Sequence, residues 1–223
     1  MQILNFCQHT FLDDLSNDSN VIDLGVNRGE FVELISERYG CKVFGVEANP
    51  ELHKKLLEIP NFSSINAAAA GKSGVVKFRK IPEHDGSIIF DFQDDGEQFW
   101  EVPSFSMKDI LSKSSFDVVD LIKVDIEGAE LELFQNCDLN ELTDVKQMTV
   151  EFHDFIDSTS LPVINELINE LREQFHTIKM SYRDYSNVLF LNKKYYSYRF
   201  WTKVRFVKTK YKDGFKRVLK RVI

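Results

Sequence analysis

The sequence predicts an α/β fold in which a mostly parallel sheet is covered by helices. Three observations predict it. Short apolar runs alternate with segments of helical period, a glycine-containing turn joins the first run to the first such segment, and two short runs near residue 190 read as a closing antiparallel hairpin. At 223 residues the chain is long enough to bury a full core without disulfide or metal staples. An apolar share of 43% and a charged share of 28% exclude chain-wide disorder and fibrous classes.

Taken in order, residues 1–19 are polar-rich and predict an opening helix. Asn20–Leu24 is a short strand. Residues 31, 34, 35 and 39 recur at helical spacing within Glu30–Tyr39, and Gly40 supplies the stop. Lys42–Val46 is a second strand. Pro50 opens a helix that runs to about Ile59, and Phe62–Asn66 is a third strand. Residues 71–82 predict an extra strand or hairpin arm. The acidic stretch 83–101 exceeds a routine connection and reads as a lid. Its DFQDDGE string echoes a calcium loop, but Val102 stands where the twelfth-position Glu belongs. Asp120–Ile126 is the next strand, and a helix starts at Gly128. Lys146–Phe152 is a further strand, Pro162 opens a helix to about Gln174, and Thr177–Met180 with Asn187–Leu191 form the hairpin.

No window reaches 18 uncharged apolar residues, which excludes a membrane-spanning helix. The N-terminus lacks a basic stretch and meets acids at Asp13 and Asp14, unlike a secretory signal. Three cysteines without metal-like spacing suit free thiols in a reducing cytoplasm. The net charge of −7 hides a split: residues 1–192 hold 16 Lys+Arg against 34 Asp+Glu, and residues 193–223 hold twelve against one. The chain therefore divides into a domain, 1–192, and a basic appendage, 193–223.

The turn Asp23-Leu-Gly25-Val-Asn27-Arg-Gly29-Glu30 lies between a predicted strand and a predicted helix, where glycine lets a ligand approach the helix start. One reading is a nicotinamide or flavin dinucleotide site, which wants G-x-G-x-x-G. The other is an adenosyl ligand without phosphate. The spacing here is G-x-N-x-G, and Glu30 occupies the third glycine's place. A carboxylate in the first turn suits the helix dipole and repels a pyrophosphate. S-adenosylmethionine, with its sulfonium and amino groups, tolerates acids, and Asp23 is placed to take the amino group directly or through water. Glu47 ends the second strand, where one carboxylate can accept from both hydroxyls of a ribose. Both ligands want that acid. The bland alternative is a glycine turn with no ligand.

Ile122-Lys123-Val-Asp125-Ile-Glu127-Gly128-Ala-Glu130 is the most unusual string in the chain. Lys123 and Asp125 share one strand face, with Glu127 just beyond. Ligands of open parallel sheets lie outside the carboxyl ends of the strands, so Asp23, Glu47 and Asp125 converge on one crevice. Buried charge in a strand needs a partner, and Lys123 paired with Asp125 or Glu127 answers that need as well as a catalytic role does.

The string IKVDIEGAELELF resembles the K-x-D-x-E-G-x-E signature of FkbM-type S-adenosylmethionine-dependent methyltransferases. DLGVNRGEF resembles that family's opening loop, GVEANP its ribose-binding segment and VEFHDF its later strand, in the right order from Val21 to Phe155. The resemblance implies a Rossmann-like class I methyltransferase fold with a seven-stranded sheet ending in an antiparallel hairpin. It implies that Asp23, Gly25, Asn27 and Gly29 bind the methionine part of S-adenosylmethionine, that Glu47 binds the ribose, and that Asn66 and Ala67 lie near the adenine, with Asp125 beside the cofactor. It implies transfer of a methyl group to a hydroxyl, on a sugar of a surface polysaccharide or its lipid-linked or nucleotide-linked precursor. The rival enzyme is a nicotinamide-dependent sugar oxidoreductase or epimerase. A rival of another class is a non-catalytic cofactor-binding protein that recruits partners.

A sugar hydroxyl needs a base or a metal to take its proton. His153, Asp125, Glu127 and Glu151 are the candidates. His153, at a strand end and with an ordinary pKa near neutrality, is the first choice. Lys123 would orient Asp125 or stabilise alkoxide charge. A divalent metal on Asp125, Glu127, Glu151 and His153 is the less favoured alternative, because no tight ligand spacing supports it. His9, His53, His84 and His176 have no motif around them and read as surface or helix residues.

In 193–223 eight aromatics interleave with the twelve basic residues. Contact with an anionic membrane surface is the favoured reading, which would place the protein in the cytoplasm at the inner face. Docking on the acidic body or oligomerisation follows, and nucleic-acid binding comes last.

Overall fold

The computed structural model describes residues 2–56, 59, 61–79, 99–153, 161–181 and 184–197. In chain order the strands and helices are β1 (Ile3–Phe6), β2 (His9–Leu12), β3 (Asn20–Leu24), α1 (Glu30–Tyr39), β4 (Lys42–Glu47), α2 (Pro50–His53), β5 (Phe62–Asn66), β6 (Ala68–Ala69), β7 (Gly74–Arg79), β8 (Phe99–Phe105), α3 (Met107–Ser114), β9 (Val119–Val124), α4 (Glu130–Gln135), β10 (Val145–Val150), α5 (Leu161–Leu171), β11 (Phe175–Lys179) and β12 (Val188–Asn192). A 3-10 turn, Leu139–Leu142, precedes β10.

The central sheet has seven strands in the order β11-β12-β10-β9-β3-β4-β5. β12 runs antiparallel to both neighbours, and β10, β9, β3, β4 and β5 are mutually parallel. The closing hairpin is thus as the sequence predicts. The inner strands read as unbroken apolar runs because both faces are covered. On one face Ile22, Val46, Ile122 and Met148 join the cluster containing α3, α4 and α5. On the other, Val21, Val43 and Leu121 pack under Phe31, Val32 and Ile35 of α1. A second sheet, β6-β8-β7, follows β5 in the chain and meets the central sheet at β4.

The opening segment corrects the sequence expectation. Residues 3–12 form a β-hairpin, not a helix. Cys7 and Gln8 both adopt positive φ (45° and 66°), the conformation of a two-residue hairpin turn with right-handed twist. β2 is buried at every position because Phe11 enters the α1 cluster while Leu12 packs on Leu189 and Leu191. That two-sided burial removes the alternation that would mark a strand. Polar side chains of the sheet hold the hairpin in place: Thr149 Oγ1 accepts from the Thr10 amide at 3.1 Å, and Gln147 Oε1 accepts from the Leu12 amide at 2.8 Å.

The second helix is shorter than expected. Asn49 Oδ1 caps it by accepting from the amides of Glu51 and Leu52, and it ends at His53. Lys55 and Leu56 then bond three residues back, which tightens the chain and drives Leu56 into the core. Helix α3, capped by Ser106, is an element the sequence reading missed. Of the expected lid, residues 83–98 lie outside the described residues, and 99–101 belong to β8. The calcium-like string lies outside them as well. Among the described residues no helix is long and apolar enough to cross a membrane.

The appendage is described only to residue 197. Its start is held to the body: Lys194 Nζ lies 2.7 Å from Asp144 Oδ1, and Tyr196 Oη donates to Asp14 Oδ2 at 2.8 Å. Asn192, which precedes it, donates to the carbonyl of Val145 at the start of β10. The appendage therefore leaves the sheet at the amino ends of the parallel strands.

Candidate functional site

The carboxyl ends of β10, β9, β3 and β4 lie side by side, and the sheet's hydrogen bonding continues past them. The Gly25 amide donates to Val46 O, Asp125 to Leu24 O and Glu151 to Val124 O, each at 3.0 Å. This continuation sets the loops after the strands in fixed register. Gly25 has φ +78°, and a Cβ there would sit 1.8 Å from the Asp125 carbonyl oxygen, so the close crossing of the two loops requires glycine.

A cleft of about 500 Å³, open mouth included, runs along these ends. Of the residues expected to bind cofactor, Gly25, Asn27, Glu47, Ala67 and Asp125 line it, with Glu127 of the expected catalytic set. Ala68, Ala69, Leu52 and Phe78 add an apolar wall near Glu47. Phe78 comes from β7, and only its place in an apolar alternation (Val76, Phe78) could have suggested it. Glu47 is buried; Oε2 accepts from the Asn27 amide and Oε1 from the Asn49 amide, each at 2.7 Å. Burial pushes its pKa up to about 7 against those two donors and the charge of Lys123.

Asp23, Gly29 and Asn66 do not line the cleft. Gly29, at φ +89°, starts α1 against Leu56, and Asn66 Nδ2 donates to the carbonyls of Glu47 and Ala48. Asp23 is wholly buried, with Oδ1 3.1 Å from Lys123 Nζ. Burial raises its pKa to about 6, partly offset by that ammonium. Direct contact of Asp23 with a ligand's amino group is therefore corrected to a supporting role: it holds Lys123. Lys123 donates to the Gly25 carbonyl and lies 3.7 Å from Asp125 Oδ2, so it ties the first loop to the second instead of entering the cleft. It does line a second, larger hollow of about 660 Å³, open mouth included, together with His9, Arg28, Glu30 and Asp125.

His153 is more enclosed than its position at a strand end suggests. Nδ1 lies 2.9 Å from Glu130 Oε1, and Nε2 lies 3.3 Å from Glu127 Oε2 and 3.7 Å from Asp125 Oδ1. Burial would lower its pKa, but the hydrogen bond to Glu130 and the charges of Glu130, Glu127 and Asp125 prevail and raise it to about 9. The expected pKa near neutrality is thus corrected: at pH 7 the imidazole holds its proton. Glu130 is itself buried, with Oε1 accepting from the amides of Ile126 and Gly128. It locks the loop that carries Asp125 and Glu127. Burial would raise the pKa of Asp125, but the His9 hydrogen bond and nearby cations hold it at about 2.

His9 was expected at the surface or in a helix. It is buried on β2, with Nε2 3.4 Å from Asp125 Oδ2. No local motif marks it, because only the folding of the hairpin over the sheet brings residues 9 and 125 together. His53 Nε2 lies 3.1 Å from Ser64 Oγ and His176, on β11, faces the Tyr196 carbonyl; His84 lies outside the described residues.

The model of the methyltransferase FkbM domain matches residues 23–185, and these run from the glycine turn through the sheet to just before β12. The chain belongs to the FkbM methyltransferase family. No curated protein sequence matches it. Among solved structures it is similar to a methyltransferase FkbM from Methylobacillus flagellatus KT, at 17% identity and a TM-score of 0.54, over 81% of this chain and 45% of that one. The chain thus spans less than half the length of that FkbM structure. It is also similar to an rRNA methylase from Streptococcus thermophilus, at 10% identity and a TM-score of 0.48, over 80% of this chain and 89% of that one. The seven-stranded, mostly parallel sheet with its antiparallel β12 is the Rossmann-like class I methyltransferase fold. The matched family is one of methyltransferases, not of nicotinamide-dependent oxidoreductases or epimerases.

Proposed function

We propose that this FkbM-family chain binds S-adenosylmethionine in the cleft and transfers its methyl group to a hydroxyl, on a sugar of a surface polysaccharide or its precursor. One observation carries the cofactor reading. The cleft joins an apolar wall of Ala67, Ala68, Ala69 and Phe78, beside the Glu47 carboxylate, to an acidic end formed by Asp125 and Glu127. The wall suits a flat base, a carboxylate suits a vicinal diol, and acids suit a sulfonium and an amino group. Glu30 in the first turn of α1 disfavours a pyrophosphate there. The sugar hydroxyl as acceptor is supported by the family resemblance.

S-adenosylmethionine supplies an activated methyl group to an in-line displacement. The residues' work is therefore alignment and handling of the acceptor's proton. Gly25 and Asn27 leave room along the loop, and Glu47 fixes the ribose end. Asp125 stays ionised to low pH and faces the developing reaction centre as a fixed negative charge. His153, braced by Glu130, takes the hydroxyl proton when it is itself deprotonated. Lys123 keeps the Gly25 and Asp125 loops at their spacing. The basic appendage, which departs from the far end of the sheet, is proposed to attach the enzyme to an anionic membrane surface and takes no part in the chemistry.

Calorimetric titration with S-adenosylmethionine, S-adenosylhomocysteine and NAD tests the reading. Binding of the first two without NAD is expected. Failure of S-adenosylhomocysteine to bind overturns it, and binding without turnover on any hydroxylated acceptor supports the recruitment protein instead.

A further inference from the structure

Asp125 stands between two imidazoles, with the buried Glu151 carboxylate close by. Glu151 is 7% exposed, and burial with the nearby charge of Asp125 disfavours its ionised form, only partly offset by His153. One of its oxygens, a ring nitrogen of His9 and an oxygen of Asp125 all lie within 4.8 Å of one another. A buried carboxylate is costly, and a second carboxylate beside it increases the cost. Lys123 does not relieve it, since its ammonium is held by Asp23 and the Gly25 carbonyl. His9 contributes a lone pair in a fixed direction. Its Nδ1 lies 3.4 Å from Thr149 Oγ1, leaving Nε2 toward Asp125 Oδ2 at 3.4 Å. A ring steered by a hydrogen bond at its other nitrogen is the usual arrangement of a metal-bound imidazole.

We propose that His9, Asp125 and Glu151 form a binding site for a divalent first-row cation around Asp125, which lines both the cleft and the second hollow. One imidazole and two carboxylates make a mixed nitrogen and oxygen set, which suits Mn²⁺ or Zn²⁺ better than Ca²⁺. Bonds of about 2.0–2.2 Å separate neighbouring donors by roughly 3–3.5 Å. The His9–Asp125 spacing already meets that, and rotation of the Glu151 side chain closes the remainder. The three donors come from β2 and from the loops after β9 and β10, so the site exists only when the hairpin is seated. Asp125 Oδ1, on the other side, remains with Glu127 and His153.

The role of the site rests on the methyl-transfer reading given above. An acceptor hydroxyl at such a cation would give up its proton to His153 more readily. Its oxygen pair then forms the new C–O bond while the C–S pair stays on sulphur. The products are an ether, a neutral thioether and a proton on His153.

The test uses the full chain and Mn²⁺ as the probe, following the loss of the free-ion electron paramagnetic resonance signal. One ion per chain is expected, with a ¹⁴N imidazole coupling in the pulsed spectrum of the bound ion. Glu151→Gln and His9→Asn are each expected to weaken Mn²⁺ binding at least tenfold while melting temperature and S-adenosylhomocysteine affinity hold. Mn²⁺ and Zn²⁺ both failing to bind at millimolar concentration, bound Mn²⁺ without ¹⁴N coupling, or variants that bind like the parent overturn the proposal. Because S-adenosylhomocysteine is titrated separately, absence of metal binding with cofactor binding intact removes this site alone. Absence of cofactor binding removes the methyl-transfer reading and leaves the metal result to be judged by its own signal.

Discussion

Replacing Glu47 by Gln keeps the side chain's volume and removes its charge. In the folded protein both oxygens already accept backbone amides, Asn27 on Oε2 and Asn49 on Oε1, each at 2.7 Å. Gln preserves one of these bonds and turns an NH₂ toward the other amide, which costs about 1–3 kcal/mol of stability. A carboxylate has lone pairs left for two ribose hydroxyls, and a hydrogen bond to a charged group contributes about 1.5–3 kcal/mol against about 0.5–1.5 to a neutral one, so the two together lose about 1.5–3 kcal/mol. At about 1.4 kcal/mol per tenfold, S-adenosylhomocysteine affinity should fall roughly 10- to 100-fold. A pH signature accompanies it. Burial raises the Glu47 pKa to about 7, and hydroxyl donors favour the ionised form, so ligand binding below pH 7 must expel a proton. The parent's affinity should therefore fall by about tenfold from pH 8 to pH 6, and the variant's dependence over that range should be flatter. Calorimetry at three pH values, with a melting curve as folding control, reads both effects. A folded variant that binds within twofold of the parent, or that keeps the full pH slope, refutes the ribose assignment.

Three further outcomes are expected. If His153 is the proton acceptor, kcat/KM on a hydroxyl acceptor should climb with pH toward a midpoint near 9, since its neighbours raise its pKa, and His153→Asn should remove the climb; a flat profile from pH 7 to 9.5 in the parent contradicts this. Gly25→Ala places a Cβ against the Asp125 carbonyl at a positive φ and should cost about 3 kcal/mol or more in a urea melt; a loss under 1 kcal/mol means the loops are not locked as described. Truncation after Ser197 keeps the described contacts of Lys194 and Tyr196 and should abolish sedimentation with anionic vesicles while sparing S-adenosylhomocysteine affinity; unchanged sedimentation argues against a membrane role for the appendage.

The readings that survived rest on local chemistry. Asn20–Leu24, Lys42–Val46 and Asp120–Ile126 announce buried parallel strands because an inner strand must be apolar on both faces. Gly25 is legible as a turn because few other residues tolerate its backbone, and Glu47 because a carboxylate at a strand's end has few bland uses. The string from Lys123 to Glu130 shows charged groups where burial is expected, so it demands partners even before they are named. Helix α3 escaped notice because it has only eight residues, although its Ser106-x-x-Asp109 spacing is a local capping signal.

What the sequence determined alone is the order of elements from β3 to β5 and from β9 to β12, the glycine turn and the carriers of charge, since each follows from backbone freedom and burial within a few residues. Tertiary structure alone decided that residues 3–12 pair as a hairpin, that Asp23 serves Lys123, that three carboxylates hold the proton on His153, and that His9 meets Asp125 across 116 positions. Those outcomes depend on which distant groups share a low-dielectric space, and the strength of a buried charge or an imidazole's proton affinity is set by those neighbours, not by its place in the chain.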